Sequence, residues 1–113
     1  MASEGEFLEI GLFQLENLTL NPNRFLFFDL RDENSADKSL AQEVDRLLKQ
    51  AERRTADGLL NELKAKSIPF EFPIVLLCED GRSSKAAAQK LLKLAYSQVY
   101  VVSGGVAGLL SEL

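Results

Sequence analysis

Three short, uninterrupted apolar runs constrain this chain more than anything else in it: Phe25-Leu26-Phe27-Phe28, Ile74-Val75-Leu76-Leu77 and Val99-Tyr100-Val101-Val102. Each has the length of a strand and lacks the polar alternation of a sheet with one wet face, so each reads as a strand covered on both sides. The stretches between them have helical spacing. Leu40, Val44, Leu47, Leu48 and Ala51 fall on one face, behind a capping-box spacing at Ser39 and Gln42. A second helix over residues 56–66 turns Leu59, Leu60 and Leu63 inward, with Asp57-Gly58 as a weak spot between the helices or early in this one. A third, over residues 84–95, presents Ala88, Leu91, Leu92 and Ala95. Residues 7–10 suit an edge strand, 11–17 a short helix, 18–24 a turn around Asn21-Pro22-Asn23, and 67–73 an extended link between two prolines. Ser103-Gly104-Gly105 opens a final helix over 106–113. Strands alternating with helices predict an α/β fold with a parallel sheet and right-handed crossovers.

At 113 residues the chain makes one domain, 1–113, with the small, acidic residues 1–6 as a loose end. Seventeen acidic against thirteen basic side chains give a net charge of −4, which argues against nucleic acid as a partner. No apolar stretch approaches the length of a membrane span, and the first residues lack the basic start and apolar centre of a signal peptide. The reading is a cytoplasmic protein with no membrane association. One cysteine excludes an internal disulfide and any multi-cysteine metal site. The absence of histidine removes Ser-His and Cys-His nucleophile pairs and nearly every zinc site. No metal or cofactor is expected.

The chemistry therefore gathers at Cys78. It stands between the end of the Ile74-Leu77 run and a helix start, where unpaired N–H groups of an open α/β sheet point at ligands. Glu79, Asp80, Gly81, Arg82, Ser83 and Ser84 form the loop, and Gly81 permits its tight path. From Cys78 to Lys85 two acidic side chains offset two basic ones, so any activation of the thiol comes mainly from backbone amides. Arg82 is the cation best placed for an anionic ligand. The Phe25-Phe28 run ends with the same grammar, in Asp29-Leu30-Arg31-Asp32. A lone cysteine at a strand end is often a small apolar filler, and that reading stands beside the chemical one.

The stretch from Cys78 to Ser84, the helix with Ala86, Ala87 and Leu91, and Val99-Tyr100-Val101-Val102-Ser103-Gly104-Gly105-Val106 together resemble the single-domain rhodanese family. Phe28-Asp29-Leu30-Arg31 is similar to that family's Asp-Val-Arg sequence. The resemblance implies a three-layer α/β/α fold around a small, mostly parallel sheet of about four or five strands. It implies a sulfurtransferase that carries sulfane sulfur as a persulfide on Cys78. The donor is then thiosulfate or a persulfide, and the acceptor a thiol or a protein. Residues 79–84 serve as the anion-binding loop, and Asp29 with Arg31 as a supporting pair. Two departures stand out: the family's Gly-His-Ile-Pro-Gly-Ala segment is missing, with helical sequence over 33–66 instead, and Leu109 replaces the aromatic residue after the Gly-Gly turn.

The alternative is a catalytically weak or inactive module with the same fold that binds a protein, which the missing segment and the acidic Glu79 and Asp80 favour. Cysteine-dependent phosphatase chemistry needs an arginine six positions after the cysteine, where this chain has Ser84.

Overall fold

The computed structural model describes residues 7–21, 24–32 and 41–113. The loose end at 1–6, the centre of the Asn-Pro-Asn turn, Ser39 of the capping box and Leu40 lie outside the described residues.

Chain order is β1 (Leu8–Ile10), α1 (Leu12–Thr19), β2 (Leu26–Asp29), α2 (Gln42–Leu48), β3 (Glu52–Arg53), α3 (Ala56–Ala65), β4 (Ile74–Leu77), α4 (Arg82–Lys93), β5 (Val99–Val102) and α5 (Gly105–Ser111). The strands form one sheet in the order β1-β5-β4-β2-β3, and every pairing is parallel. β4 is central, in register with β2 from Leu26↔Ile74 to Asp29↔Leu77 and with β5 from Ile74↔Val99 to Leu76↔Val101.

Successive strand residues face opposite ways, so an unbroken apolar run fits only where both faces are covered. Val75 and Leu77 join Phe27 and Val102 in a core closed by Leu15 of α1, Val44 and Leu47 of α2 and Leu109 of α5. Ile74 and Leu76 point the other way, among Phe28, Val99 and Val101, under Leu59 and Leu63 of α3 and Ala88 and Leu91 of α4. The three-layer α/β/α expectation holds, and the sheet has its upper expected number of strands.

Several boundaries differ from the sequence reading: α1 covers Leu12–Thr19, β2 Leu26–Asp29 and α5 Gly105–Ser111, each shifted by one or two residues. The stretch between the Asp29 strand and α3 is not wholly helical, because Glu52 and Arg53 pair with Phe28 and Asp29 as the edge strand β3. Asp57-Gly58 lies in the first turn of α3 and not between two helices, and the Thr55 hydroxyl accepts the Gly58 N–H at 3.0 Å as an N-cap. α4 starts two residues earlier than predicted and stops at Lys93. Ala95 lies beyond it, exposed, with φ +80°, and Tyr96 takes the buried position instead.

Candidate active site

β4 delivers Cys78 to the sheet's C-terminal rim, and the chain then turns through Glu79 and Asp80 into α4. Gly81 makes the turn with φ +96°, a backbone region L side chains disfavour, and so acts as the N-cap of α4. The consequence is a curled backbone around the sulfur. The Gly81 N–H donates to Cys78 Sγ at 3.0 Å and the Ser84 N–H donates to it at 3.4 Å. Both donors sit at the N-terminal end of a twelve-residue helix, where the aligned peptide dipoles favour negative charge.

A second layer of backbone holds the loop from behind. The Val106 N–H donates to the Cys78 carbonyl at 2.9 Å and the Ala107 N–H to the Glu79 carbonyl at 3.1 Å. These donors come from the first turn of α5, which the left-handed Gly104 and Gly105 (φ +70° and +62°) bring against the loop. A Cβ at Gly105 would overlap the Cys78 carbonyl oxygen and the Asp80 nitrogen. The turn that the Gly104-Gly105 pair makes thus packs directly against the Cys78 loop.

The remaining loop residues divide by exposure. Ser84 is fully buried, and its Oγ has no hydrogen-bond partner. Glu79, Asp80, Arg82 and Ser83 are exposed. Asp80 Oδ1 accepts the Arg82 N–H at 3.0 Å, and its other oxygen lies 3.6 Å from Arg82 Nε. The guanidinium thus reaches outward, its side chain 91 % exposed. Cys78 itself is buried, 3 % exposed. Lys85 extends from the first turn of α4 to Glu9 of β1, 3.8 Å away.

Asp29 and Arg31 occupy the neighbouring strand end. Arg31 Nε lies 3.0 and 3.1 Å from the two Asp29 oxygens and Nη2 lies 2.8 Å from Oδ2, a bidentate, buried ion pair. Asp29 Oδ1 also accepts the Arg31 N–H at 3.0 Å. The Leu30 N–H donates to the Leu77 carbonyl at 2.7 Å, so the pair is fastened to the strand that ends in Cys78. Arg31 Nη1 is buried without a partner. Among the described residues no cluster of His, Cys, Asp or Glu could hold a metal ion, and no helix is long and apolar enough to cross a membrane.

The site is thus a single thiol in an amide-lined loop at the strand ends of a parallel α/β/α sandwich. The chain matches the rhodanese-like domain family over residues 14–112 and belongs to it. The fold recurs in a rhodanese-like domain protein from Staphylococcus aureus (TM-score 0.65, 17 % identity, 89 % of each chain covered). It recurs also in reduced Bacillus anthracis CoADR-RHD (TM-score 0.64, 19 % identity) and in a NAD-dependent persulfide reductase from A. fulgidus (TM-score 0.58, 22 % identity). The alignments cover 88 % and 89 % of this chain but 16 % and 15 % of those two larger chains.

Proposed function

We propose that the protein is a rhodanese-type sulfurtransferase that carries sulfane sulfur on Cys78. The observation that supports this reading is the convergence of the Gly81 and Ser84 N–H groups on the Cys78 sulfur, at 3.0 and 3.4 Å. In a chain without histidine, donors of this kind stabilise a thiolate without a general base.

In the first half-reaction the Cys78 thiolate attacks the outer sulfur of the donor. The donor's S–S bond breaks and its electron pair leaves with the remainder, as sulfite from thiosulfate or as a thiolate from a persulfide. Cys78 keeps the outer sulfur as a persulfide anion. In the second, an acceptor thiolate attacks that sulfur and Cys78 departs as thiolate. The amides serve both steps, since each begins or ends with negative charge on sulfur. The Ser84 hydroxyl, buried and unpartnered, is available to donate to the added sulfur.

Donor preference follows from the side chains at the mouth. Glu79 and Asp80 are exposed there, and Arg82 is paired with Asp80. This arrangement disfavours a doubly charged donor such as thiosulfate, and a persulfide is the better substrate. A test is hydrogen sulfide release from either donor with dithiothreitol as acceptor, which takes the outer sulfur from Cys78 and expels it as sulfide on closing to its cyclic disulfide. Wild type releases sulfide faster from a small persulfide than from thiosulfate, and Cys78→Ser releases none above background; equal rates for both proteins would overturn the reading.

The second reading, a binding module with the same fold, draws on the burial of the Cys78 sulfur. It predicts that no donor leaves sulfur on the protein.

A further inference from the structure

At the end of α4 remote from Cys78, a cleft runs between α3 and α4. Its apolar part is lined by Leu63, Ile68, Pro69, Phe70, Leu94 and Tyr96 and has a volume of about 490 Å³. Lys64 and Leu94 line this part and also the adjoining part, which adds Lys90 and Lys93. The two hollows thus adjoin across Lys64 and Leu94, one apolar and the other basic, and together form a groove.

Two features set it apart from ordinary surface. Phe70 stands 56 % exposed at the apolar end, braced edge-on against Tyr96 with ring centroids 5.1 Å apart. Among the described residues, Lys64, Lys90 and Lys93 have no carboxylate within ion-pair distance, whereas Lys49, Lys66 and Lys85 each have one. Asp57 is the only acidic residue lining the basic part. Three lysines against one aspartate make this a positive face on a chain whose net charge is −4. Lys90 and Lys93 in the last turn of α4 and Lys64 in the last turn of α3 each complement a helix dipole, but that does not account for their convergence on one face beside the exposed Phe70.

We propose that this groove docks an acidic segment of a partner protein, with carboxylates against Lys64, Lys90 and Lys93 and an aromatic or aliphatic anchor beside Phe70 and Leu94. The charge contrast selects the partner's sign, and the apolar end supplies a pocket for one buried side chain. A second copy of this acidic chain fits less well, since its net charge is also negative and the face that matches must be locally acidic. Nucleic acid fits less well again, because three lysines beside an apolar pocket do not track a phosphate backbone. The twelve residues of α4 span about 18 Å, so an occupant of the groove leaves the Cys78 loop uncovered. A docked donor or acceptor would be held near the thiol at raised effective concentration, although the groove's binding does not depend on the sulfur chemistry.

A displayed random-peptide library selected against the wild-type chain is the probe. The expected winners carry two or more Asp or Glu residues beside a Phe, Leu or Met. The best of them, added to isotope-labelled protein, should shift the amides of Lys64, Ile68, Phe70 and Leu94. Lys64→Glu with Lys93→Glu should weaken its binding at least tenfold, as should Phe70→Ala, while Cys78→Ser binds like wild type. Raising salt from about 50 to about 200 mM should weaken wild-type binding several-fold, a readout that needs no variant. Winners without acidic bias, shifts confined to another face, or indifference to both salt and charge reversal would overturn the proposal. So would shifts at these amides that follow the protein's own concentration without peptide, which would assign the groove to a second copy.

Discussion

Gly105 lies so close to Cys78 that a methyl group on its Cα would overlap the Cys78 carbonyl oxygen, while φ +62° already disfavours any side chain there. The neighbouring Val106 N–H uses that proximity to bond the same carbonyl at 2.9 Å. Gly105→Ala is therefore expected to cost about 3 kcal/mol or more, combining backbone strain with a steric clash in a packed turn. Gly81→Ala is the control. It shares the strain at φ +96°, but its nearest neighbours would be backbone atoms of Gly104 at 3.5 and 3.6 Å, an ordinary contact. Its cost should be about 1–2 kcal/mol. Thermal denaturation of both variants checks the order; equal losses would contradict it.

Ser84 places two groups at the thiol site with separable roles. Its N–H faces the sulfur and survives in Ser84→Ala, whereas its buried hydroxyl, unpartnered in the resting chain, does not. An unsatisfied buried hydroxyl costs about 1–3 kcal/mol, so Ser84→Ala should leave stability unchanged or raise it. If the hydroxyl donates to the added sulfur, transfer from a persulfide donor should fall about tenfold, the worth of one hydrogen bond to a charged group. Melting temperature and hydrogen sulfide release, measured on the same preparation, separate the two effects.

The buried Asp29–Arg31 pair predicts a loss on one-sided truncation and recovery on joint replacement. Asp29→Ala leaves the Arg31 guanidinium buried without its carboxylate, a cost of about 3–5 kcal/mol. Replacing both with apolar residues of similar volume, Asp29→Leu with Arg31→Met, should regain most of that. A urea melt of the single and double variants decides; a double variant as unstable as the single one would contradict the account.

Glu62 gives the chain a defined acid sensitivity. Hydrogen bonds from Arg54 and then Lys66 outweigh burial and hold its carboxyl at about 2. A free glutamate titrates near 4.5, so the stabilisation is present above that value and is lost as pH falls toward about 2. Glu62→Gln should therefore be less stable than wild type at pH 6 and converge with it near pH 2. Melting temperature against pH measures this; parallel curves throughout would rule out the contribution.

How much of this architecture was legible in the sequence depends on whether local pattern or distant pairing sets each element. β4 and β5 occupy the residues their apolar runs mark, because both faces of each are buried and every position carries the signal. β3 carries no such signal. Glu52 and Arg53 are exposed and charged, and they are a strand only because Phe28 and Asp29 lie alongside. The start of α4 was misplaced because the sequence shows Gly81 but not its left-handed φ, which begins the helix at Arg82. At the site, the position of Cys78 and the amides around it follow from the strand-loop-helix order. The outward direction of Arg82 does not, since Asp80 two residues earlier captures both its N–H and its guanidinium.

The central claim is that Cys78 carries sulfur. Incubating the protein with a small persulfide or polysulfide and weighing it intact tests this directly, because one added sulfur raises the mass by about 32 Da. Wild type should gain that mass and lose it to an added thiol, and Cys78→Ser should remain unchanged. A wild-type chain that gains no sulfur from persulfide, polysulfide or thiosulfate would contradict the account.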